Sequence, residues 1–242
     1  KQMGKTVILV CPDKHLGGVT YGGYSEGIVV DQRFVLRVPA SLDLAGVAPL
    51  LCAGAIGYRS LRLCDHRDGQ RLGLTGFGAS AHLVLKMVNH RYPNSEVFVF
   101  ARSKKERTFA LELGATWAGA TEDTPPALLD QIIDTTPAWK PVLAALEGLA
   151  PGGRLVINAI RKESADKVEL LNLSYPEHLW MEKEIKSVAN VARRDVSEFL
   201  QLAADMGIRP EVQEYDLADA NRALQELKQR KIRGGKVLRI KS

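Results

Sequence analysis

Continuous apolar runs bounded by Gly, Pro and Asn turns alternate with stretches in which apolar residues return at helical spacing. That alternation predicts strands interleaved with helices. The clearest case starts at the polar turn Asp68-Gly69-Gln70-Arg71, which opens the strand run Leu72-Gly73-Leu74. His82-Leu83-Val84-Leu85-Lys86-Met87-Val88 then has helical spacing. After the turn Tyr92-Pro93-Asn94-Ser95, the run Glu96-Val97-Phe98-Val99-Phe100 reads as a second parallel strand. The pattern continues with a helix Lys105 to Leu113, a short strand Thr116 to Ala118, the interruption Pro125-Pro126, and a fourth strand near Gln131 to Asp134. A helix from Val142 to Leu149 is expected to stop at the turn Pro151-Gly152-Gly153. Arg154 to Ile157 and Glu184 to Val191 read as the fifth and sixth strands. Beyond Asp195 the pattern predicts a helix Val196 to Met206, an extended piece Glu211 to Tyr215, a helix Ala218 to Arg230 and a last strand Lys236 to Ile240, a return into another domain. The fold class that follows is α/β, a doubly wound parallel sheet whose ligand lies across the carboxyl ends of the strands.

The first strand and helix are joined by Thr75-Gly76-Phe77-Gly78-Ala79-Ser80-Ala81, a G-x-G-x-x-A turn. With 21 glycines in 242 residues, such a match means little by itself. Its place between a strand and a helix, in a βαβ unit of about thirty residues, makes it a dinucleotide site of the Rossmann kind. A helix start gathers unpaired N–H groups at the positive end of its dipole, which suits a pyrophosphate. Gly76 permits the tight turn, Gly78 the close approach of backbone to phosphate, and Ala81 the packing of helix on sheet.

An enzyme that prefers NAD usually places Asp or Glu at the end of the second strand to receive the ribose 2′-hydroxyl. This chain has Ala101-Arg102-Ser103-Lys104-Lys105 there. Arg102 can grip a 2′-phosphate with its fork of donors, with Ser103 and Lys104 beside it, so NADP is the expected cofactor and NAD the alternative. The competing reading makes these cations the solvated start of a helix.

Composition narrows the class. At 45% apolar residues the chain can bury a sizeable core. Its net charge of +5 comes from scattered Lys and Arg rather than a basic tract with interleaved aromatics, so no nucleic-acid partner is expected. No apolar run of membrane-spanning length is visible and no membrane partner is expected, nor does Lys1 to Pro12 read as a secretory leader. Three widely spaced cysteines, Cys11, Cys52 and Cys64, argue for reduced thiols and a cytoplasmic setting. Cys64 and His66 read as part of a surface turn.

Several segments, in order along nearly the whole chain, carry a family resemblance: Thr20-Tyr21-Gly22-Gly23-Tyr24-Ser25, Val30 to Val35, Ala48-Pro49-Leu50-Leu51-Cys52-Ala53-Gly54, the glycine turn, Leu149 to Arg154, and Ile232-Arg233-Gly234-Gly235-Lys236. In these the chain resembles the zinc-dependent medium-chain alcohol dehydrogenases, in particular the cinnamyl-alcohol-dehydrogenase-like branch. The resemblance implies a Rossmann domain at 49–191, with the remnant of a GroES-like catalytic domain from both chain ends, 1–48 and 192–242. It implies an NADP-dependent oxidoreductase interconverting an alcohol and an aldehyde or ketone by hydride transfer, assisted by zinc in the full-length family. It also implies a possible homodimer, formed by extending the central sheet. Thr135 and Thr136 are expected near the adenosine ribose or the nicotinamide side, Asn158 and Ala159 near the nicotinamide, and Arg233 near the pyrophosphate. An equal alternative leaves Arg233 a solvated charge.

By the same resemblance Cys52 is a ligand of the catalytic zinc, and the family's other ligands precede the segments matched here. The chain is then expected to begin after them, leaving Cys11 without its structural-zinc partners, zinc binding in doubt and no catalytic residue assigned. One thiolate does not hold an ion that requires four ligands. The other readings are a non-catalytic NADP-binding module and a zinc-free quinone or enoyl reductase.

Overall fold

A computed structural model describes residues 6–8, 24–27, 29, 31–229 and 235–240. The chain divides into two compact units, residues 56–190 and the pairing of residues 1–55 with 191–242. Strands β1 (Thr6–Ile8) and β2 (Val35–Arg37) precede helices α1 (Leu44–Pro49) and α2 (Ala55–Cys64). The central elements are β3 (Arg71–Thr75), α3 (Ala79–Arg91), β4 (Glu96–Phe100), α4 (Lys104–Glu112), β5 (Trp117–Gly119) and β6 (Leu129–Asp134). They continue with α5 (Lys140–Glu147), β7 (Leu149–Ile157) and β8 (Glu184–Ser187). Last come α6 (Arg193–Asp205), β9 (Val212–Asp216), α7 (Ala220–Lys228) and β10 (Gly235–Arg239).

The central unit is the doubly wound sheet that the pattern predicts. Its six strands are all parallel and run in the order β5-β4-β3-β6-β7-β8. The order reverses between β3 and β6, and that reversal is the crevice where such sheets bind ligands. Leu72, Leu74, Ile132, Ile133, Leu155 and Val156 are fully buried in the inner strands, which are covered on both faces as a parallel sheet requires. Leu129, Val142, Leu146 and Leu149 join Phe98 and Phe100 in one apolar cluster, with Trp117 and Trp139 packed against it.

The expected boundary at Pro151-Gly152-Gly153 is corrected. Helix α5 stops at Glu147, and Leu149 is a strand residue paired with Leu129. The register jumps from Leu129–Leu149 to Gln131–Arg154, so Pro-Gly-Gly sits inside β7 as a bulge rather than ahead of it. Gly153 is needed there, because a Cβ would lie 2.8 Å from the Ala150 carbonyl oxygen.

In the terminal unit, β1 and β2 pair antiparallel and β9 and β10 pair parallel. Helix α6 buries Val196, Phe199, Leu200 and Ala203, and a Cβ on Gly54 would meet the Phe199 ring at 2.3 Å. Among the described residues one helical stretch, Leu44–Cys64, has the length and hydropathy of a membrane span, with 21 residues and a value of 1.3. This corrects the expectation that no such segment exists. It escapes a reading for unbroken apolar runs because Arg59 and Arg62 interrupt it. Its Val47, Leu50, Ala55, Tyr58 and Leu61 are buried within the protein.

Candidate functional site

At the carboxyl end of β3 the backbone turns at Gly76, whose φ is +78. Its N–H donates to the Phe100 carbonyl at 2.8 Å, which ties the turn to the end of β4. A Cβ on Gly76 would lie 2.8 Å from Thr135 Oγ1 and 3.1 Å from Thr136 Cγ2, so both conformation and space require glycine. Gly78 is the N-cap of α3, and nothing stands within 4 Å of where its Cβ would be. No side chain caps this helix and its first turn holds no acidic residue. Its first N–H groups are therefore the donors that a helix start leaves unpaired, open to an anion.

The other members of the motif divide by side chain. Ala81 is fully buried, as close helix packing requires, whereas Ala79 is exposed. Phe77 is buried and meets Phe109 edge-on at 5.8 Å, leaving its backbone alone to serve a ligand. His82, in the first turn of α3, lies with Nδ1 3.1 Å from the Gly78 carbonyl oxygen. Burial holds its pKa below the usual imidazole value, with the Gly78 carbonyl opposing and Lys86 reinforcing.

Beneath the turn sits Asp134, the last residue of β6, with no exposed surface. Its Oδ1 accepts from Thr75 Oγ1 at 2.6 Å and from Thr136 Oγ1 at 2.8 Å, and its Oδ2 pairs with the Lys162 ammonium. Thr135 gives both its N–H and its hydroxyl to the Thr75 carbonyl. The two threonine hydroxyls thus brace the Gly76 turn from within. On the neighbouring strand the Asn158 N–H donates to the Asp134 carbonyl, and Asn158 Nδ2 donates to Ser60 Oγ at 2.7 Å. Ser80 Oγ lies 3.4 Å from the same amide. Asn158 therefore links β7, α2 and α3, and Ala159 follows it, partly buried.

At the end of β4, Ala101 is buried and Arg102 exposed. Ser103 is the N-cap of α4 in a reciprocal capping box with Glu106. Its Oγ donates to Glu106 Oε2 at 2.9 Å, so this hydroxyl is already engaged by a carboxylate. Lys104, first in the helix, is exposed. Arg107, which the sequence reading did not single out, places Nη1 2.8 Å from the Ala101 carbonyl oxygen and 2.9 Å from that of Arg102. Its guanidinium lies over the strand end beside Arg102, and among the described residues no carboxylate pairs with it. The only signal in the sequence was its spacing, one turn beyond the Ser103 cap.

Arg233 and Cys11 lie outside the described residues. Cys52 is an exposed free thiol in the π-helical turn Leu50–Gly54. Among the described residues no three His, Cys, Asp or Glu side chains gather as metal ligands. These residues alone do not fit a tetrahedral zinc. Cys64 and His66 are not a surface turn: both are buried, and burial pushes the Cys64 thiol pKa up. His66 sits with Nδ1 2.7 Å from Gln131 Oε1 and Nε2 3.0 Å from Ser95 Oγ, at the opposite end of the sheet from the glycine turn.

No protein-family model matches the chain. It is 38% identical over 232 residues to a probable alcohol dehydrogenase of Mycobacterium tuberculosis, which covers 96% of this chain and 65% of that protein. It is 30% identical over 209 residues to an NADP-dependent alcohol dehydrogenase of Mycolicibacterium smegmatis, covering 81% of this chain and 56% of the relative. Among solved structures, a cinnamyl alcohol dehydrogenase from Sorghum bicolor superposes with a TM-score of 0.68 at 27% identity, over 87% of this chain and 60% of its own. The chain thus spans roughly three fifths of the length of the proteins it matches.

Proposed function

We propose that this chain, which belongs to the medium-chain alcohol dehydrogenase family, holds NADP(H) in its central unit for hydride transfer between an alcohol and an aldehyde or ketone. The observation that carries the reading is the uncapped, carboxylate-free start of α3 behind a glycine at φ +78, beside two arginines at the end of β4. When bound, the nicotinamide supplies the hydride chemistry. The chain's own residues supply binding and orientation. The backbone from Thr75 to Ala81 receives the pyrophosphate, and Arg102 with Lys104 receives the 2′-phosphate. Arg107 adds a second guanidinium to that pair, while Ser103 acts through its cap on α4 rather than through a free hydroxyl. Thr135 and Thr136 shape the turn, and Asn158 and Ala159 border the nicotinamide side.

No step is assigned to zinc, since no group of three or more His, Cys, Asp or Glu side chains that could hold it gathers among the described residues. The exposed, free Cys52 thiol suits a ligand position only where further donors are supplied to it. The free thiols Cys52 and Cys64 suit a reducing, cytoplasmic setting. The exposed edge strand β8, with Ile185 47% exposed, suits a homodimer made by sheet extension.

Fluorescence titration of the 242-residue chain with NADPH and with NADH tests the reading. Tighter binding of NADPH supports it, whereas failure of folded protein to bind either nucleotide overturns it. Alcohol-dependent formation of NADPH, assayed with benzylic and allylic alcohols and added zinc, tests the activity.

A further inference from the structure

The loop after β7 holds one side chain whose burial its neighbours do not share. Ile160 is 89% exposed, and Arg161 and Glu163 are exposed, yet the Lys162 side chain keeps only 10% of its surface and the Asp134 side chain none. Lys162 Nζ donates to Asp134 Oδ2 and to the carbonyl oxygens of Thr136 and Ala138, the latter two at 2.8 Å. An ammonium has three donors, and all three are spent inside the protein. Lys162 is therefore not a cation held out to a ligand.

Stability alone gives little reason for such a pair, because a buried ion pair is often no better than apolar residues of the same volume. Its position gives a reason. Asp134 ends β6 and Lys162 follows β7, so the pair crosses the carboxyl edge of the sheet between two segments that border the proposed cofactor site. Two further ties run alongside it: the Glu163 N–H donates to the Pro137 carbonyl at 2.7 Å, and the Asp166 carboxylate accepts from the N–H groups of Trp139 and Lys140. Thr135 and Thr136, the residues just upstream of these ties, crowd the Gly76 turn. A shift of that segment would be passed directly to the phosphate-binding backbone.

We infer that Lys162 is a positioning residue for the dinucleotide: by neutralising Asp134 and gripping the Thr136 and Ala138 carbonyls, it holds the segments after β6 and β7 in the one arrangement that receives the cofactor. The assignment rests on the NADP(H) reading above. Lys162→Met and the double variant Asp134→Asn with Lys162→Met are compared with the unaltered chain by thermal unfolding and NADPH titration. The single variant is expected to melt earlier and to bind NADPH at least tenfold more weakly. In the double variant no buried charge is left alone, and the side-chain amide carbonyl at position 134 still accepts from Thr75 and Thr136. Its melting temperature recovers while its NADPH affinity stays low, because the grip on the two backbone carbonyls is gone. Recovery of affinity together with melting temperature overturns the positioning role and leaves a structural one, as does unchanged affinity in a folded Lys162→Met protein. If Lys162→Met does not fold, the double variant alone decides. Failure of the unaltered chain to bind NADPH or NADH overturns the cofactor reading itself, and the role of Lys162 with it.

Discussion

At Gly76 two independent constraints meet in one residue: a left-handed backbone and a threonine pair against the missing side chain. Left-handed backbone alone costs a residue with a Cβ about 1–2 kcal/mol. Gly76→Ala should therefore weaken NADPH at least tenfold, read by titration, while a folded far-UV spectrum persists. Arg102→Ala and Arg107→Ala should each weaken NADPH but not NADH, by about 1–3 kcal/mol if a charge-assisted contact is lost. Equal loss for both nucleotides would place these arginines away from the 2′-phosphate. His66 gives a pH prediction. Burial lowers its pKa, against the opposing influence of the Gln131 hydrogen bond and of Asp130 and Asp68. The folded state thus favours the neutral ring, so the stability it contributes is full above about pH 6.5 and is lost as pH falls below that value. His82 is shifted the same way, so in urea melts His66→Gln should flatten part of the acid-side slope and leave the remainder.

Helices and strands were legible where their signals are local. The glycine turn and the βαβ unit around it lie within a short stretch whose chemistry is complete in the sequence, whereas the helix after β4, read from Lys105 with Ser103 as a phosphate contact, starts at Lys104 behind a Ser103 cap. Leu149 to Gly153 was misread because Pro-Gly-Gly says turn, while the pairing of Leu149 with Leu129, twenty residues away, decided for strand. Cys64 and His66 were misread because the residues around them, Asp65, Arg67 and Asp68, are polar, and only the distant partners Gln131 and Ser95 bury the histidine. Lys162 and Arg107 look like any solvated charge until the fold brings carbonyls to them. The Ser103 cap is itself testable: Ser103→Ala should cost about 1 kcal/mol of stability through the lost α4 cap. It should change NADPH affinity less than Arg102→Ala does, measured by melting and titration on the same protein.

For the molecule as a whole, the two units give separate readouts. A ligand confined to residues 56–190 raises the stability of that unit by mass action, about 2.7 kcal/mol at a hundred times its dissociation constant. Calorimetry with NADPH should therefore raise the transition that reports this unit, and a thermogram indifferent to saturating NADPH would argue against a site there. The two described cysteines allow the same event to be followed chemically. Cys52 is exposed, whereas Cys64 is shut in the unit of residues 56–190 with its thiolate disfavoured by burial. Thiolates, not thiols, attack alkylating reagents. With Cys11 replaced, a maleimide at neutral pH should label position 52 at once and position 64 only as fast as its unit opens, so the second label becomes a clock for that opening, slowed when coenzyme is present.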